Sequence, residues 1–136
     1  MVTADNAGAR LRAVAAIHRI RDLARGLDVC ERCTVADRPL LRMRGLLGRS
    51  DLPPGEGVLL RPASSIHTYG MRFSIDALFL DSEMRVVDIR SEVGPWRVAS
   101  KWGARAILEL RAGEARKRGV GVGDVLTVEE DYVGRG

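Results

Sequence analysis

Apolar positions along this chain follow two different periods. Up to Leu27 they recur every three or four residues: Ala13, Ala16, Ile17, Ile20, Leu23, Ala24 and Leu27 form one stripe, with Arg residues filling much of the rest. That spacing predicts an amphipathic helix over 1–27, capped by Asp5 or Asn6 and closed by Gly26. From Asp28 onward the apolar residues come in short runs between turn residues. Val29 to Val35 reads as a strand. Asp37-Arg38-Pro39 opens a short helix whose apolar face is Leu40, Leu41, Met43, Leu46 and Leu47, and Gly48 lies near its end. Further strands are predicted at 58–60, 65–69, 75–80, 85–89, 105–110 and 125–128, with a helical turn over 114–118. The expected fold is mainly β, of the α+β class: a compact β-sandwich or barrel-like domain over 28–130 with a short packed helix. The N-terminal helix precedes it, and 131–136 reads as a loose tail.

Composition narrows the class. A chain of 136 residues suits one domain, and 46% hydrophobic with 29% charged residues excludes wholesale disorder. No apolar run reaches the roughly 18 residues of a membrane span. Charges interrupt any leader-like stretch near the start, so a cytoplasmic location is expected. Two cysteines cannot build a disulfide scaffold. The net charge of +4 raises the question of nucleic acid. Residues 1–26 hold five Arg against two Asp, while the remainder holds 17 basic and 16 acidic residues. The excess thus lies mainly in the N-terminal segment. With aromatics at 4%, stacking platforms are scarce, and nucleic acid is disfavoured as a partner. The N-terminal helix instead suggests docking, self-association or contact with a protein partner.

Three groups of residues could carry chemistry. On a strand Ser65, His67 and Tyr69 share one face, aligning a hydroxyl, an imidazole and a phenol. Such a row could bind a polar ligand or let His67 act as a base, or it could be a hydrogen-bonded surface. Asp76 and Glu109 are acids inside apolar strands and need partners if buried. Arg44, Arg49 and Arg72 are candidates, either as structural salt bridges or in a cleft that holds an anion. Cys30-Glu31-Arg32-Cys33 has no second ligand pair to make a zinc site. In an extended strand its thiols point to opposite faces. Trp96 and Trp102 fall in a long loop over 94–103 that could lid a pocket, or Trp96 could cap the core. No phosphate-binding glycine loop or serine-hydrolase elbow is present, and no cofactor or metal is expected.

Several runs together resemble the domain of unknown function 192 family. Arg44-Gly45-Leu46-Leu47-Gly48-Arg49, Gly57-Val58-Leu59-Leu60, Ser65 to Phe73, Ile75-Asp76-Ala77-Leu78-Phe79-Leu80-Asp81, Leu108 to Gly113 and Gly119 to Asp124 occur in the family's order. The 65–73 segment is similar to that of a bacterial subgroup. Ser74 stands where a Pro is common. The resemblance implies a small β-rich domain and no reaction. The residues support a ligand-binding or accessory domain whose polar cleft surrounds His67 and Arg72. Its expected lining is Arg49, His67, Tyr69, Met71, Arg72, Asp76 and Trp96, and its ligand is an unidentified small molecule. The alternatives are a small hydrolase or isomerase using His67 with Asp76 or Glu109, and an interaction module acting through the N-terminal helix.

Overall fold

A computed structural model of the chain describes residues 17–37, 46 and 49–130. They form nine strands and one short helix: β1 (Ile17–Asp22), β2 (Asp28–Ala36), β3 (Glu56–Leu60), β4 (Ser65–His67), β5 (Ile75–Leu80), β6 (Val86–Val93), β7 (Val98–Ser100), β8 (Ala106–Arg111), α1 (Glu114–Lys117) and β9 (Leu126–Glu130). Seven strands make one mixed sheet in the order β6-β5-β8-β3-β2-β1-β9, and β4 pairs with β7 in a second sheet of two. Only β2 and β3 pair in parallel. The outer strands of the large sheet approach each other at one end. There Arg85 bridges Val125, the Val86 amide donates to the Asp124 carbonyl at 2.8 Å, and the Leu126 amide donates to the Met84 carbonyl at 2.9 Å.

Alternation along the central strands supplies a core on each side of this sheet. Leu78 and Leu80 of β5, Leu108 and Leu110 of β8 and Leu59 of β3 face one cluster, which Ala115, Val120 and Leu126 complete. Ala77 and Phe79, Ile107, and Val58 and Leu60 face the other. That second cluster is covered by Leu46, Leu52 and Met71, and by Ile66 and Ala99 from the inner face of the β4–β7 pair. The small sheet is therefore anchored by its apolar side, which leaves its other side outward. β5 and β8 are buried on both faces, which explains why their sequences are nearly continuous apolar runs.

The fold is mainly β, as the short runs predict, and two expectations change. Where the helix of 1–27 falls on described residues the chain is instead β1, paired with β2 and β9, followed by a turn. The reason is a period of two hidden inside the stripe. Ile20 and Asp22 are buried, while Arg19 and Arg21 point to the other side and meet Asp28, with Arg21 also near Glu129. Gly26, with φ of 68°, closes the β1–β2 turn rather than a helix. A boundary at residue 28 would cut this strand pair. Residues 1–16, most of the predicted helix at 37–48 and the tail at 131–136 lie outside the described residues.

The second change concerns the cysteines. Between the pairs His18↔Cys33 and Ile20↔Cys30, β2 carries one residue more than β1. This bulge reverses the alternation, so both thiols enter the first core cluster instead of diverging. The neighbouring Cys30 thiol, and then burial, raise the Cys33 pKa well above the ordinary thiol range. Among the described residues no group of three or more His, Cys, Asp or Glu could hold a metal.

The bulged strand packs tightly on β3. A Cβ added at Gly57 would stand 2.7 Å from the Glu109 carbonyl oxygen, 2.9 Å from Leu110 Cδ2 and 3.0 Å from Cys30 Sγ. The first of these is backbone and cannot turn aside. Gly57→Ala is expected to destabilise the protein by roughly 1–3 kcal/mol through overpacking. Thermal melts would reveal it as a drop of several degrees, and an unchanged melting temperature would mean that β3 and β8 can separate freely.

Candidate functional site

The exposed side of the β4–β7 sheet gathers three of the residues singled out from sequence. His67 pairs across the sheet with Val98, and Ile66 faces inward while Ser65 and His67 face outward. Tyr69 continues the same side. Its ring centroid lies 4.9 Å from that of His67 and 5.8 Å from that of Trp96, with interplanar angles of 30° and 27°. The three rings form one continuous row. Trp96 is 68% exposed and Tyr69 46% exposed, so the row presents faces to solvent and Trp96 does not cap the core.

Thr68 holds this row together from beneath. It is fully buried, on the opposite side from its neighbours. Its hydroxyl donates to the Gly94 carbonyl at 2.6 Å and accepts from the Arg97 amide at 2.9 Å. Its own amide donates to the Arg97 carbonyl at 2.8 Å, and its carbonyl accepts from the Trp96 amide at 3.0 Å and the Met71 amide at 3.2 Å. These bonds close the segment 94–97 onto the segment 68–71. They also hold Trp96 at φ of 62°, a left-handed backbone that an aromatic residue adopts at a cost. Sequence reasoning did not single out Thr68. The signal for it was a hydroxyl residue on the buried side of a short strand, which must find backbone partners.

Of the other expected site residues, Met71, Arg49 and Asp76 stand apart from the row. Met71 is buried in the second core cluster. Arg49 pairs with Glu56 at 3.2 Å, at the start of β3. Arg72 is exposed. Asp76 is fully buried, and its partners are backbone amides rather than an arginine. Its Oδ1 accepts from Glu92 at 2.9 Å, and its Oδ2 accepts from Gly113 and from Ala115, both at 3.0 Å. The carboxylate thereby satisfies the amides of the N-cap Gly113 and of Ala115 at the start of α1, and the amide of a bulge in β6, where the four residues from Arg90 to Val93 oppose the three from Ala77 to Ile75.

Glu109 is 4% exposed, and among the described residues no hydrogen bond or ion pair is made by its carboxyl. Burial raises its pKa from 4.5 to about 7. Among the described residues neither acid is hydrogen-bonded to His67.

Comparison with known proteins matches most of this body. The sequence model of DUF192, described as an uncharacterized ACR, matches residues 23–128. A UPF0127 protein of Thermococcus sibiricus is similar at 35% identity over 111 residues, covering 74% of this chain and 69% of that protein. Another, from Pyrococcus abyssi, is 34% identical over 97 residues, covering 66% and 80%. Among solved structures, a Sinorhizobium meliloti protein described as a "putative transcription regulator" superposes with a TM-score of 0.72 at 23% identity, over 83% of this chain and 92% of that one. A Novosphingobium aromaticivorans protein of unknown function gives 0.66 at 21%, over 85% and 96%. At these identities the likeness shows the shared fold.

Asp76 and Glu109 generate opposite expectations. Asp76→Asn puts an amide donor against backbone donors, and is expected to cost roughly 2–4 kcal/mol, read as a lower urea midpoint at unchanged slope. A loss below about 1 kcal/mol would show that these amides have other partners. Glu109 behaves inversely. Its folded pKa lies above its unfolded value, so the folded state binds the proton more tightly. Its full contribution is present below pH 4.5 and is lost as pH rises through about 7. The difference amounts to roughly 3 kcal/mol. Glu109→Gln should flatten the stability profile between those values and exceed the parent at higher pH. A slope that survives the substitution would assign the dependence to another group.

Proposed function

Because this chain belongs to the DUF192 family of uncharacterised proteins, which brings no reaction with it, we propose its function from the site itself: a binding domain that receives a planar, anionic ligand on the row His67–Tyr69–Trp96. The observation that carries this reading is Trp96, an aromatic residue held in a costly backbone conformation and still turned out to solvent. Strain of that kind persists where surrounding bonds enforce it, and here Thr68 supplies them. Arg97 follows Trp96, and Arg72 follows Met71, whose amide Thr68 also binds. The two guanidinium groups are the natural source of affinity for negative charge beside the rings.

The hydrolase or isomerase alternative has less in its favour, since Asp76 is committed to three amides and Glu109 faces a core. On this reading the body is a barrel-like closed sheet, supported by the contacts that join β6 to β9. A cytoplasmic location accords with two buried free thiols. No helix among the described residues is long and apolar enough to cross a membrane.

The chain has two tryptophans, so Trp102→Phe leaves Trp96 as the sole fluorescent reporter on the row. In that background pyrenetrisulfonate, a planar trianion, is expected to quench Trp96 emission saturably. Adding Tyr69→Ala should weaken the interaction by about three- to tenfold, the worth of one aromatic contact. A neutral hexose should leave emission unchanged. Absence of quenching by the dye, or equal quenching after Tyr69→Ala, would remove the row as a binding site.

A further inference from the structure

We infer that the ligand of this surface is single-stranded nucleic acid, with bases stacking on the ring row and phosphates meeting the cations around it. The inference rests on the reading of the row as a binding site and adds the class of partner. Its basis is the distribution of charge in space. Two segments build the platform, 61–73 with β4 and 94–105 with β7, and they are joined by the Ser65↔Ser100, Ile66↔Ala99 and His67↔Val98 pairs. Together they contain Arg61, Arg72, Arg97, Lys101 and Arg105 and not one Asp or Glu. The net charge of the whole chain is +4, so everything outside these segments sums to slightly negative. A division of the chain by position conceals this, because the segments are more than twenty residues apart in sequence and adjacent in the fold.

Elsewhere on the surface some cations are engaged by acids, while Arg32, Arg85, Arg111, Arg116 and Lys117 are exposed without a salt bridge among the described residues. Arg25 is paired with Asp22 and Asp124, Arg49 with Glu56, Arg90 with Asp88 and Arg118 with Glu31 and Glu114. Arg72, Arg97, Lys101 and Arg105 are exposed and make no salt bridge among the described residues. Exposed cations on the same two segments as the solvent-facing rings, of which Lys101 also acts on Asp88, suit a polyanion that carries flat groups at intervals. An acidic peptide would meet the charges and leave the rings unused. A duplex would meet the charges and keep its base faces hidden. A single strand uses both. Trp102, 96% exposed, follows β7 two residues after Ser100 and adds a further exposed ring to the same segment. Low aromatic content, which argued against such a partner from sequence, matters less once three of the six Phe, Trp and Tyr residues stand on one surface.

The test uses the full chain and a fluorescently labelled oligodeoxythymidylate about 15 nucleotides long, the upper range of a single-domain site. Anisotropy should rise on binding, and affinity should fall with salt at a log–log slope of about −3 if four cations meet phosphates. Trp96→Ala should weaken binding roughly ten- to hundredfold with an unchanged melting temperature, since the side chain is exposed. Arg97→Glu should weaken binding and make the salt dependence shallower. A duplex of the same length should bind much more weakly, and polyglutamate should fail to compete. Equal binding of the duplex, effective competition by polyglutamate, or insensitivity to Trp96→Ala would each overturn the inference by reducing the surface to a charge patch. If the oligonucleotide fails to bind while pyrenetrisulfonate still quenches Trp96, the partner class is overturned and the binding row stands. If both fail, the row itself is lost.

Discussion

Asp76 bonds to three backbone amides that the strand ladders leave without partners, and it does so at the point where two connections leave the large sheet. On one side β6 bulges at Glu92, with φ of 53°, directing an amide away from its pairing partner. On the other, the chain turns at Gly113, with φ of 92°, into α1, whose opening amides have no intrahelical acceptor. Buried without partners, each would cost on the order of 1–3 kcal/mol. A carboxylate two bonds from the β5 backbone reaches all three, which is why an acid sits in an otherwise apolar strand. The consequence extends beyond local stability. β6 ends at Val93, directly after the held Glu92, and the next residues are those that carry Trp96. The carboxylate in the core thus helps to fix where the segment carrying Trp96 leaves β6.

Thr68 performs the complementary task at the surface. Its side chain and main chain together bond to Gly94, Trp96 and Arg97, so the position of the row is set by a buried hydroxyl rather than by the rings themselves. Stacked rings alone contribute only about 0.5–1.5 kcal/mol per pair, too little to hold an exposed tryptophan in a left-handed backbone against solvent. Fixing the rings before a ligand arrives lowers the ordering cost of binding, which is the usual reason to display aromatic groups rigidly.

How much of this was legible depended on whether the relevant period was local. β5 and β8 announced themselves as continuous apolar runs because both of their faces are buried. The outward alternation of Ser65, His67 and Tyr69 also survived folding intact. β1 was misread because its inward position 22 is an acid, which breaks the apolar period of two and leaves Ile17 and Ile20 at helical spacing. The cysteines were misread because a single bulge reverses the alternation, and a bulge is a property of the pairing with β1 rather than of β2. Of the residues expected to line one cleft, His67, Tyr69 and Trp96 do come together. Arg49, Met71 and Asp76 are held elsewhere by Glu56, by the core and by backbone amides.

Charge is the property that linear reading served least well. Counted along the chain, the positive excess belongs to the first 26 residues, and the body is near neutral. Counted over the two segments that build β4 and β7, the body is polarised, since they hold five cations and no acid. Near-neutrality of a domain therefore says little about its partners, because a long-range field depends on how charges are arranged as well as on their sum. In this fold the arrangement follows from strand pairing. The antiparallel contact of β4 with β7 brings together two basic segments and the aromatic residues they carry, while Asp76 and Glu109 stay buried in the large sheet.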